Sequence, residues 1–329
     1  MKLLRRPETT TAALVILALI GGFIWSPNFL NAPYLLDKTT LLIETGLAAL
    51  GMTFVIVAGE IDLSVGSTLG LCACLFAKLL DQGLAWPLAT LATLAAGCVL
   101  GLINGSLIAK LHLPSFVVTL ATYAGYRGAA QALMKAESVK IPPALGGIDT
   151  IHIPGTPIPV ELVALILIAI AASLILSRTV FGRWIYATGS GLQSAIYSGV
   201  PAYRVKAIVF VISGFMAALG AIVMDSRLKM AEFDHGTGME IQAITAVVLG
   251  GASIFGGQGT ILGTMLALLV LSLLQSAMGL SDVSAEYQLA IVGSLLILSI
   301  IATNWLHRLS VRRERRILSQ PVTIPGSSV

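Results

Sequence analysis

Charged side chains are scarce in this chain. Asp, Glu, Lys and Arg make up 11% of the 329 residues, hydrophobic residues make up 56%, and the mean hydropathy is +0.91. A soluble domain carries roughly a quarter charged residues, so this chain has too little polar surface to stay dissolved. The composition therefore predicts an integral membrane protein, and the 33 glycines fit close helix packing in lipid.

Motifs that carry enzyme chemistry are also missing. The three cysteines, Cys72, Cys74 and Cys98, form no C-x-x-C pair, and their odd number argues against a disulfide framework. The four histidines form no H-E-x-x-H motif, and the sequence has neither G-x-S-x-G nor the phosphate-binding G-x-x-x-x-G-K-[ST]. We therefore expect no enzyme activity in this chain, ATP hydrolysis included, and no catalytic residue, metal or cofactor.

Long apolar segments are abundant, and roughly 20 apolar residues in a helix cross ~30 Å of hydrocarbon. With the N-terminus inside, the inner segments carry more Lys and Arg than the outer ones, as the positive-inside rule expects. Both basic termini are then cytoplasmic, which requires an even number of spans. The sequence predicts an all-α integral membrane protein with about ten transmembrane helices, near residues 11–25, 39–58, 62–80, 85–109, 113–134, 160–177, 207–225, 241–256, 261–280 and 288–305.

The stretch V-I-V-A-G-E-I-D-L-S-V-G-S, residues 55–67, interrupts one of these apolar runs. Glu60 and Asp62 would point about 200° apart on a helix, which argues against a paired acid–base site. Glycines at both ends instead predict a broken helix near residues 59–66, where Asp62 and Ser64 cap a helix that begins near Leu63. The same carboxylates could also line the translocation pathway or hold its gate closed.

A second glycine-rich break falls near residues 250–259 and contains Ser253 and Phe255. Paired discontinuous segments in a transporter point towards a central pathway, so both residues are candidates for its lining or gate. Asn104 is a further pathway candidate, although Gly101 and Gly105 beside it also suit helix packing. Arg127, inside a span, needs a carboxylate or carbonyl partner.

The inner segment over residues 181–206 predicts a short helix at residues 192–197, because Gly189 and Gly191 precede it and Gly199 and Pro201 follow it. Its exposed face would consist of Ser194, Ala195 and Ser198, leaving room for a groove of another protein. From spacing alone, an ordinary linker along the bilayer explains this segment equally well.

Four sequence blocks resemble the permease subunits of ATP-binding-cassette importers, in their ribose-type sugar branch. They are G-E-I-D-L-S-V-G-S-T-L-G-L, G-L-I-N-G-S-L-I-A-K-L-H-L-P-S-F-V-V-T-L-A-T with the following Y-R-G-A, the inner segment, and A-I-T-A-V-V-L-G-G-A-S-I-F-G-G-Q-G-T-I-L-G-T. They occur in the family's order between residues 50 and 265. The chain departs from the family pattern at Ser115, where many relatives have proline, and at Glu60, where many have glycine.

The resemblance implies a permease that imports a simple sugar or sugar-like molecule of the rhamnose, ribose or autoinducer-2 class. Two copies of an ATPase subunit, a second permease copy or a homologous permease, and a periplasmic or extracellular binding protein would complete the system. The ATPase would receive residues 189–199 in a cleft, with contacts from Gly189, Ser190, Gly191, Leu192, Ser194, Ala195, Ser198 and Gly199. An ion-coupled secondary carrier, protonated at Glu60 or Asp62, is the alternative that the residues leave open.

The whole chain, residues 1–329, is expected to form a single permease domain of a bacterial inner membrane. It would include a cytoplasmic coupling loop at residues 179–206 and a basic cytoplasmic tail at residues 306–329, which suits anionic lipid. Nothing in the sequence suggests a nucleic-acid partner. A polar group outside the membrane lies where the binding protein would dock, although a solvated loop explains it equally well; it consists of Asp225, Arg227, Glu232, Asp234 and His235.

Overall fold

A computed structural model describes residues 7–25, 29, 31, 36, 39–135, 137–143, 145–147, 150–284 and 286–301. The helices are α1 (Pro7–Trp25), α2 (Ile43–Val57), α3 (Val65–Asp81), α4 (Trp86–Leu111), α5 (Ser115–Met134), α6 (Val160–Arg178), α7 (Val180–Ser190), α8 (Leu192–Tyr197), α9 (Ala202–Leu228), α10 (Met239–Leu249), α11 (Ile261–Gly279) and α12 (Glu286–Ile301). Two short strands, β1 (Val139–Lys140) and β2 (Met230–Ala231), pair antiparallel. The basic tail lies outside the described residues.

Each of the ten predicted apolar segments contains one helix, and α7 and α8 lie between the sixth and the seventh. The fold is that of an all-α membrane protein. By length and composition, α4, α6, α9 and α11 can each cross a membrane, whereas Thr11–Ile24 within α1, and the helices α2, α10 and α12, are shorter apolar segments. The number of crossings therefore stays a prediction. The largest difference in extent concerns residues 241–256, of which only those up to Leu249 are helical.

Helix α2 forms the centre of the bundle, since all of its 15 residues are buried. It packs antiparallel to α9: a β-carbon on Gly51 would lie 2.9 Å from the Ser213 α-carbon, and one on Gly220 would lie 3.5 Å from the Glu44 carbonyl oxygen. Glycine at these positions lets the two backbones approach closely, as is common between helices in lipid.

Helices α4 and α9 use a longer glycine face. Gly97, Gly101 and Gly105 recur every four residues on α4, so they line one side of the helix. Added β-carbons would overlap the carbonyl oxygens of Gly214 and Phe210 at the first two positions and approach α9 closely at the third. The predicted small-residue face is therefore the contact surface between these helices.

The length of α9 defines the two ends of the bundle. Its 27 residues extend about 40 Å, so the first and last turns lie at opposite ends. We call the end next to α8 the α8 end and the opposite end, where Leu228 leads into β2, the far end. This distinction places the polar residues described below.

Candidate functional site

The first break covers residues 58–64, between α2 and α3. Gly59 has φ of +82°, a backbone conformation that favours glycine and turns the chain away from α2. Glu60, which is 7% exposed, forms an ion pair between its Oε1 and Lys206 Nζ in the first turns of α9. The break therefore lies at the α8 end.

Asp62 forms the centre of a buried hydrogen-bond network. Its Oδ1 accepts hydrogen bonds from Ser64 N (2.9 Å) and Ser64 Oγ (2.6 Å), and its Oδ2 accepts one from Ser213 Oγ (2.7 Å). The capping prediction is wrong in detail: α3 begins at Val65 rather than Leu63, and Ser64, at the N-cap position, makes no side-chain capping bond. Asp62 instead connects the break to α9.

Two more helices join this network. Asn104 of α4 donates from Nδ2 to Ser64 Oγ (2.8 Å). The Tyr126 hydroxyl of α5 lies within hydrogen-bond distance of two acceptors, the Leu100 carbonyl (3.0 Å) and Asn104 Oδ1 (3.3 Å). The Asp62 network thus consists of Asp62, Ser64, Asn104, Tyr126 and Ser213. It connects the first break to α4, α5 and α9. Asn104 therefore has both roles considered for it in part: it packs beside Gly101 and Gly105, and it forms a hydrogen bond to the first break.

Ser115, which departs from the family pattern, also contacts the break. Its hydroxyl accepts a hydrogen bond from Ile61 N (3.2 Å), and Thr119 one turn later donates to the Ile61 carbonyl (3.3 Å). A proline at position 115 could not accept this bond, because it has no side-chain hydroxyl. The departure therefore adds one connection between α5 and the first break.

The second break covers residues 250–260, between α10 and α11. Ser253 N donates to the Gln258 carbonyl (3.1 Å), and the Ser253 hydroxyl accepts from Phe255 N (3.2 Å), so Ser253 closes the turn. The Phe255 side chain is 76% exposed at the tip of the loop. Of the two pathway candidates in this break, Ser253 therefore stabilises the turn through its hydrogen bonds, and Phe255 projects from the loop into the surroundings.

Both breaks meet the end of α7. Gly257 N donates to the Val57 carbonyl (2.9 Å). A β-carbon on Gly189 would overlap that same carbonyl oxygen, and one on Gly256 would lie 2.6 Å from the Gly59 α-carbon and 2.9 Å from the Gly189 α-carbon. Only glycine fits at such distances. We call Gly59, Gly189, Gly256 and Gly257 the glycine junction.

Helix α7 is the element that the sequence analysis missed. Thr179 Oγ1 caps it by accepting a hydrogen bond from Gly182 N (3.1 Å), and a threonine before an apolar run was the available signal. Tyr186 OH donates to the Gly259 carbonyl (2.7 Å). Helix α7 therefore holds the second break through a side chain as well as through the glycine junction.

Helix α8 has the predicted bounds, Leu192–Tyr197, but its exposed face differs. Ser194 and Ser198 are exposed as expected, whereas Ala195 is buried, with only 4% of its surface exposed. The prediction that Ala195 is exposed is therefore wrong. Tyr197 is 86% exposed and was not predicted.

The other predicted coupling residues divide into two groups. Gly189 faces the interior at the glycine junction, whereas Ser190 is exposed and donates from its hydroxyl to the Tyr186 carbonyl (2.8 Å). Gly191 has an extended backbone with φ of 173°, and Gly199, at φ +80°, ends α8. Leu192 is half-buried at the start of α8. The eight predicted coupling residues thus include Gly189, which packs inside the bundle at the glycine junction, and exposed residues such as Ser190, Ser194 and Ser198.

At the far end the structure corrects the predicted polar group. Asp225 is fully buried and lies 3.3 Å from His235, itself 8% exposed, measured from Oδ1 to Nδ1. Arg227 pairs with the buried Glu44, with 2.8 Å between Nε and Oε1. Only Asp234 of the predicted group is exposed, and Glu232 is half-buried. Most of these side chains are therefore directed into the bundle rather than into solvent.

Arg127 and Glu240 complete what we call the far cluster: Arg127, Asp225, His235 and Glu240. Arg127 Nη1 donates to the carbonyls of Phe233 (2.5 Å) and His235 (2.7 Å), so its partners are carbonyl groups, one of the alternatives expected. A β-carbon on Gly70 of α3 would lie 2.7 Å from both Arg127 Nη1 and the His235 carbonyl oxygen. The cluster therefore packs directly on α3.

Known proteins resemble this chain over most of its length. Residues 34–300 match the family described as branched-chain amino acid transport system / permease component. The autoinducer 2 import system permease protein LsrD of Escherichia coli strain K12 is 33% identical over 311 residues, which cover 93% of this chain and 94% of the relative. The LsrD protein of Shigella flexneri gives the same values.

The chain belongs to this permease family. Within it, the chain is a permease of the ATP-binding-cassette importers, in the ribose-type sugar branch that its sequence blocks resemble. It is accordingly a multi-pass protein of the inner membrane, and its relatives are permease subunits of transporters. Importers of this class also contain an ATPase and a substrate-binding protein, which are therefore partners in the same system.

Proposed function

We propose that this chain is the membrane-spanning subunit of an ATP-driven importer for a simple sugar or sugar-like molecule of the rhamnose, ribose or autoinducer-2 class. An external binding protein delivers the molecule. The glycine junction is the observation that carries this proposal, because it places the end of α7 against both breaks at once. The names of the relatives, which import autoinducer 2, support the substrate class.

The proposed arrangement has ten spans, both termini in the cytoplasm, a second permease copy or a homologous permease, and two ATPase subunits. The α8 end then faces the cytoplasm and the far end faces outwards. In this orientation α7 and α8 form a cytoplasmic segment with Arg178, Arg183 and Arg204 exposed around them. A cytoplasmic excess of arginine is what the positive-inside rule requires.

The coupling step is a movement of α7 and α8 when the ATPase closes. Tyr197, Ser194 and Ser198 form the exposed contact with the ATPase, and Gly189 transmits the movement to the first and second breaks. Because packed backbones without side chains between them cannot compress, a displacement at Gly189 must displace Val57 or Gly257 as well. This geometry suits alternating access.

The resting state is closed at the cytoplasmic side by two sets of contacts. The Glu60–Lys206 ion pair connects the first break to the start of α9, and the Asp62 network connects it to α4, α5 and α9. Opening the pathway would separate at least one of these helices from the break. The carrier alternative receives no support here, because Asp62 already accepts three hydrogen bonds and Glu60 is paired.

Co-purification and uptake test the proposal together. The permease is purified with its ATPase partner, and ATP-dependent uptake of autoinducer-2, D-ribose and L-rhamnose is measured in proteoliposomes that contain the binding protein. Tyr197→Ala should release the ATPase and abolish uptake, whereas Gln193→Ala, an exposed position on the same helix, should preserve both. Uptake that needs no ATP would contradict the importer proposal.

A further inference from the structure

The connection between α9 and α10 enters the bundle as non-helical backbone. Residues 232–238 pack along the Gly66 and Gly70 face of α3, where a β-carbon on Gly66 would lie 2.5 Å from Glu240 Oε2. Helix α10 has 11 residues and extends about 16 Å, roughly half the thickness of the hydrocarbon. Non-helical backbone at such a depth is stable only where it is buried in protein or lines a water-filled cavity.

The far cluster at this segment contains buried polar atoms whose hydrogen-bonding capacity is unused. Apart from the 3.3 Å contact between Asp225 and His235, four groups lack a hydrogen-bond partner among the residues that the structure describes. They are Arg127 Nε, Arg127 Nη2, the Asp225 carboxylate oxygens and Glu240 Oε2. Buried polar groups in folded proteins are nearly always paired, so this concentration calls for an explanation.

Three separate elements supply these atoms. Arg127 comes from α5, Asp225 from the last turns of α9, and Glu240 from the first turn of α10. Arg127 and Glu240 contact one face of α3, at Gly70 and Gly66. Asp225 joins them through His235, whose carbonyl oxygen packs against Gly70 and whose Nδ1 lies 3.3 Å from Asp225. Ionisable side chains inside membrane segments are costly and characteristically mark substrate pathways.

The geometry points to the far cluster as a binding subsite for the hydroxyl groups of a neutral, sugar-like molecule on its way through the membrane. This inference deepens the proposed importer function and rests on it. A hydroxyl donates one hydrogen bond and accepts others, so it can donate to Asp225 Oδ2 or Glu240 Oε2 and accept from the N–H groups on Nε and Nη2 of Arg127. Transporter sites are commonly found beside discontinuous helices such as α10.

The charge of the subsite favours an uncharged ligand over an anionic one. Apart from His235, which faces Asp225, the far cluster has the two carboxyl groups of Asp225 and Glu240 against the single guanidinium of Arg127, and the adjacent Glu44–Arg227 pair adds no net charge. A phosphorylated sugar would bring further negative charge next to two carboxylates, which is unfavourable in a medium of low dielectric constant. We therefore expect the unphosphorylated molecule to be the one that binds.

The number of molecules imported per ATP hydrolysed tests this inference. Reconstituted importer is given autoinducer-2, D-ribose or L-rhamnose on its binding protein, with Asp225→Asn and Glu240→Gln compared at equal amounts of permease in the membrane. We expect uptake to fall about tenfold for each variant, as for one lost hydrogen bond to substrate, while ATP hydrolysis stimulated by the binding protein stays within twofold. Asp234→Asn, exposed on the same segment, is the matched control and should import normally.

The outcomes separate the subsite from the importer proposal. Normal uptake by both Asp225→Asn and Glu240→Gln, or a parallel loss of uptake and ATP hydrolysis, would overturn the subsite. Uptake without ATP in the wild type would overturn the importer, while the comparison with Asp234→Asn would still decide the role of Asp225. No uptake of any of the three molecules would overturn both, because both assume the same substrate class.

Discussion

The two buried polar regions of this permease differ in how completely they are satisfied. In the Asp62 network at the α8 end, both carboxylate oxygens of Asp62 accept hydrogen bonds, from two serines on different elements. In the far cluster, Asp225 Oδ1 has only the 3.3 Å contact with His235 Nδ1 and Oδ2 accepts no hydrogen bond in the described part of the chain, although that residue is equally buried. Burial alone therefore does not distinguish the two aspartates, but their partners do.

This difference indicates two kinds of role for intramembrane carboxylates. A fully hydrogen-bonded carboxylate fixes the relative positions of the helices that donate to it, which suits a break that must transmit movement. A buried carboxylate with free lone pairs stabilises nothing by itself and can accept hydrogen bonds from a passing ligand. The changes below break or sharpen this contrast, beginning with the one of largest effect.

Gly189→Ala should abolish transport, because its β-carbon would overlap the Val57 carbonyl and lie 2.5 Å from Gly257 N. Both neighbours are backbone atoms that cannot rotate away, so the junction must separate at a cost of roughly 1–3 kcal/mol or more. Gly191→Ala is the matched control, since its β-carbon would meet nothing closer than 3.7 Å and its backbone is extended. Uptake of autoinducer-2 is measured for both variants. Equal uptake by the two would show that close packing at the glycine junction is not needed for coupling.

Asp62→Ala should lower the stability of the permease by roughly 3 kcal/mol, because three donors from Ser64 and Ser213 lose their acceptor inside the bundle. Asp81→Ala, at an exposed position at the end of α3, should change stability little. Thermal unfolding in detergent compares the two variants. Unfolding at the same temperature would mean that the Asp62 network does not hold these helices together.

Lys206→Met and Glu60→Gln should each weaken the closed state, because each leaves the other member of a mostly buried ion pair without its partner. We expect ATP hydrolysis without the binding protein to rise about threefold, which corresponds to ~0.7 kcal/mol lost from the closed state. The double variant should return towards the wild-type rate. If the rate of ATP hydrolysis is unchanged in both single variants, the Glu60–Lys206 ion pair does not stabilise the closed state.

Asp225→Asn should change the free energy of unfolding by less than about 1 kcal/mol, well below the effect of Asp62→Ala. Its carboxylate oxygens accept no hydrogen bond in the described part of the chain, so only the contact with His235 is lost. Asp62→Asn provides the sharpest comparison, as the same substitution there removes a hydrogen-bonded charge. If Asp225→Asn proved the more destabilising of the two, the contrast between the regions would be wrong.

Much of the α8 end could be predicted from the sequence, because its features are local. Glycines beside polar residues indicated both breaks, and glycine or proline beyond each end indicated the bounds of α8. The other helices of the Asp62 network could not be predicted, since Asn104, Tyr126 and Ser213 are 40 or more residues away from Asp62 along the chain. The burial of Ala195 could not be predicted either, because it depends on contacts with residues outside its own short helix.

The far end was predicted poorly because its polar residues look like those of a solvated loop. Asp225, Arg227 and His235 lie close together in a segment between two apolar runs, and nothing local indicates that the segment enters the bundle. Only the Gly66 and Gly70 face of α3, whose partner is more than 160 residues away, makes room for it. Such long-range packing has no signature in composition or spacing.

The distance between spin labels tests the central claim that α8 and the second break move as one unit. Labels at Gln193→Cys and Phe255→Cys, both exposed positions, are compared with labels at Gln193→Cys and Thr237→Cys in a variant whose natural cysteines are alanines. Between the nucleotide-free and the ATP-bound importer, we expect the first distance to stay constant and the second to change by about 2 Å or more. A change in the Gln193–Phe255 distance, with the Gln193–Thr237 distance constant, would contradict this coupling of α8 to the second break.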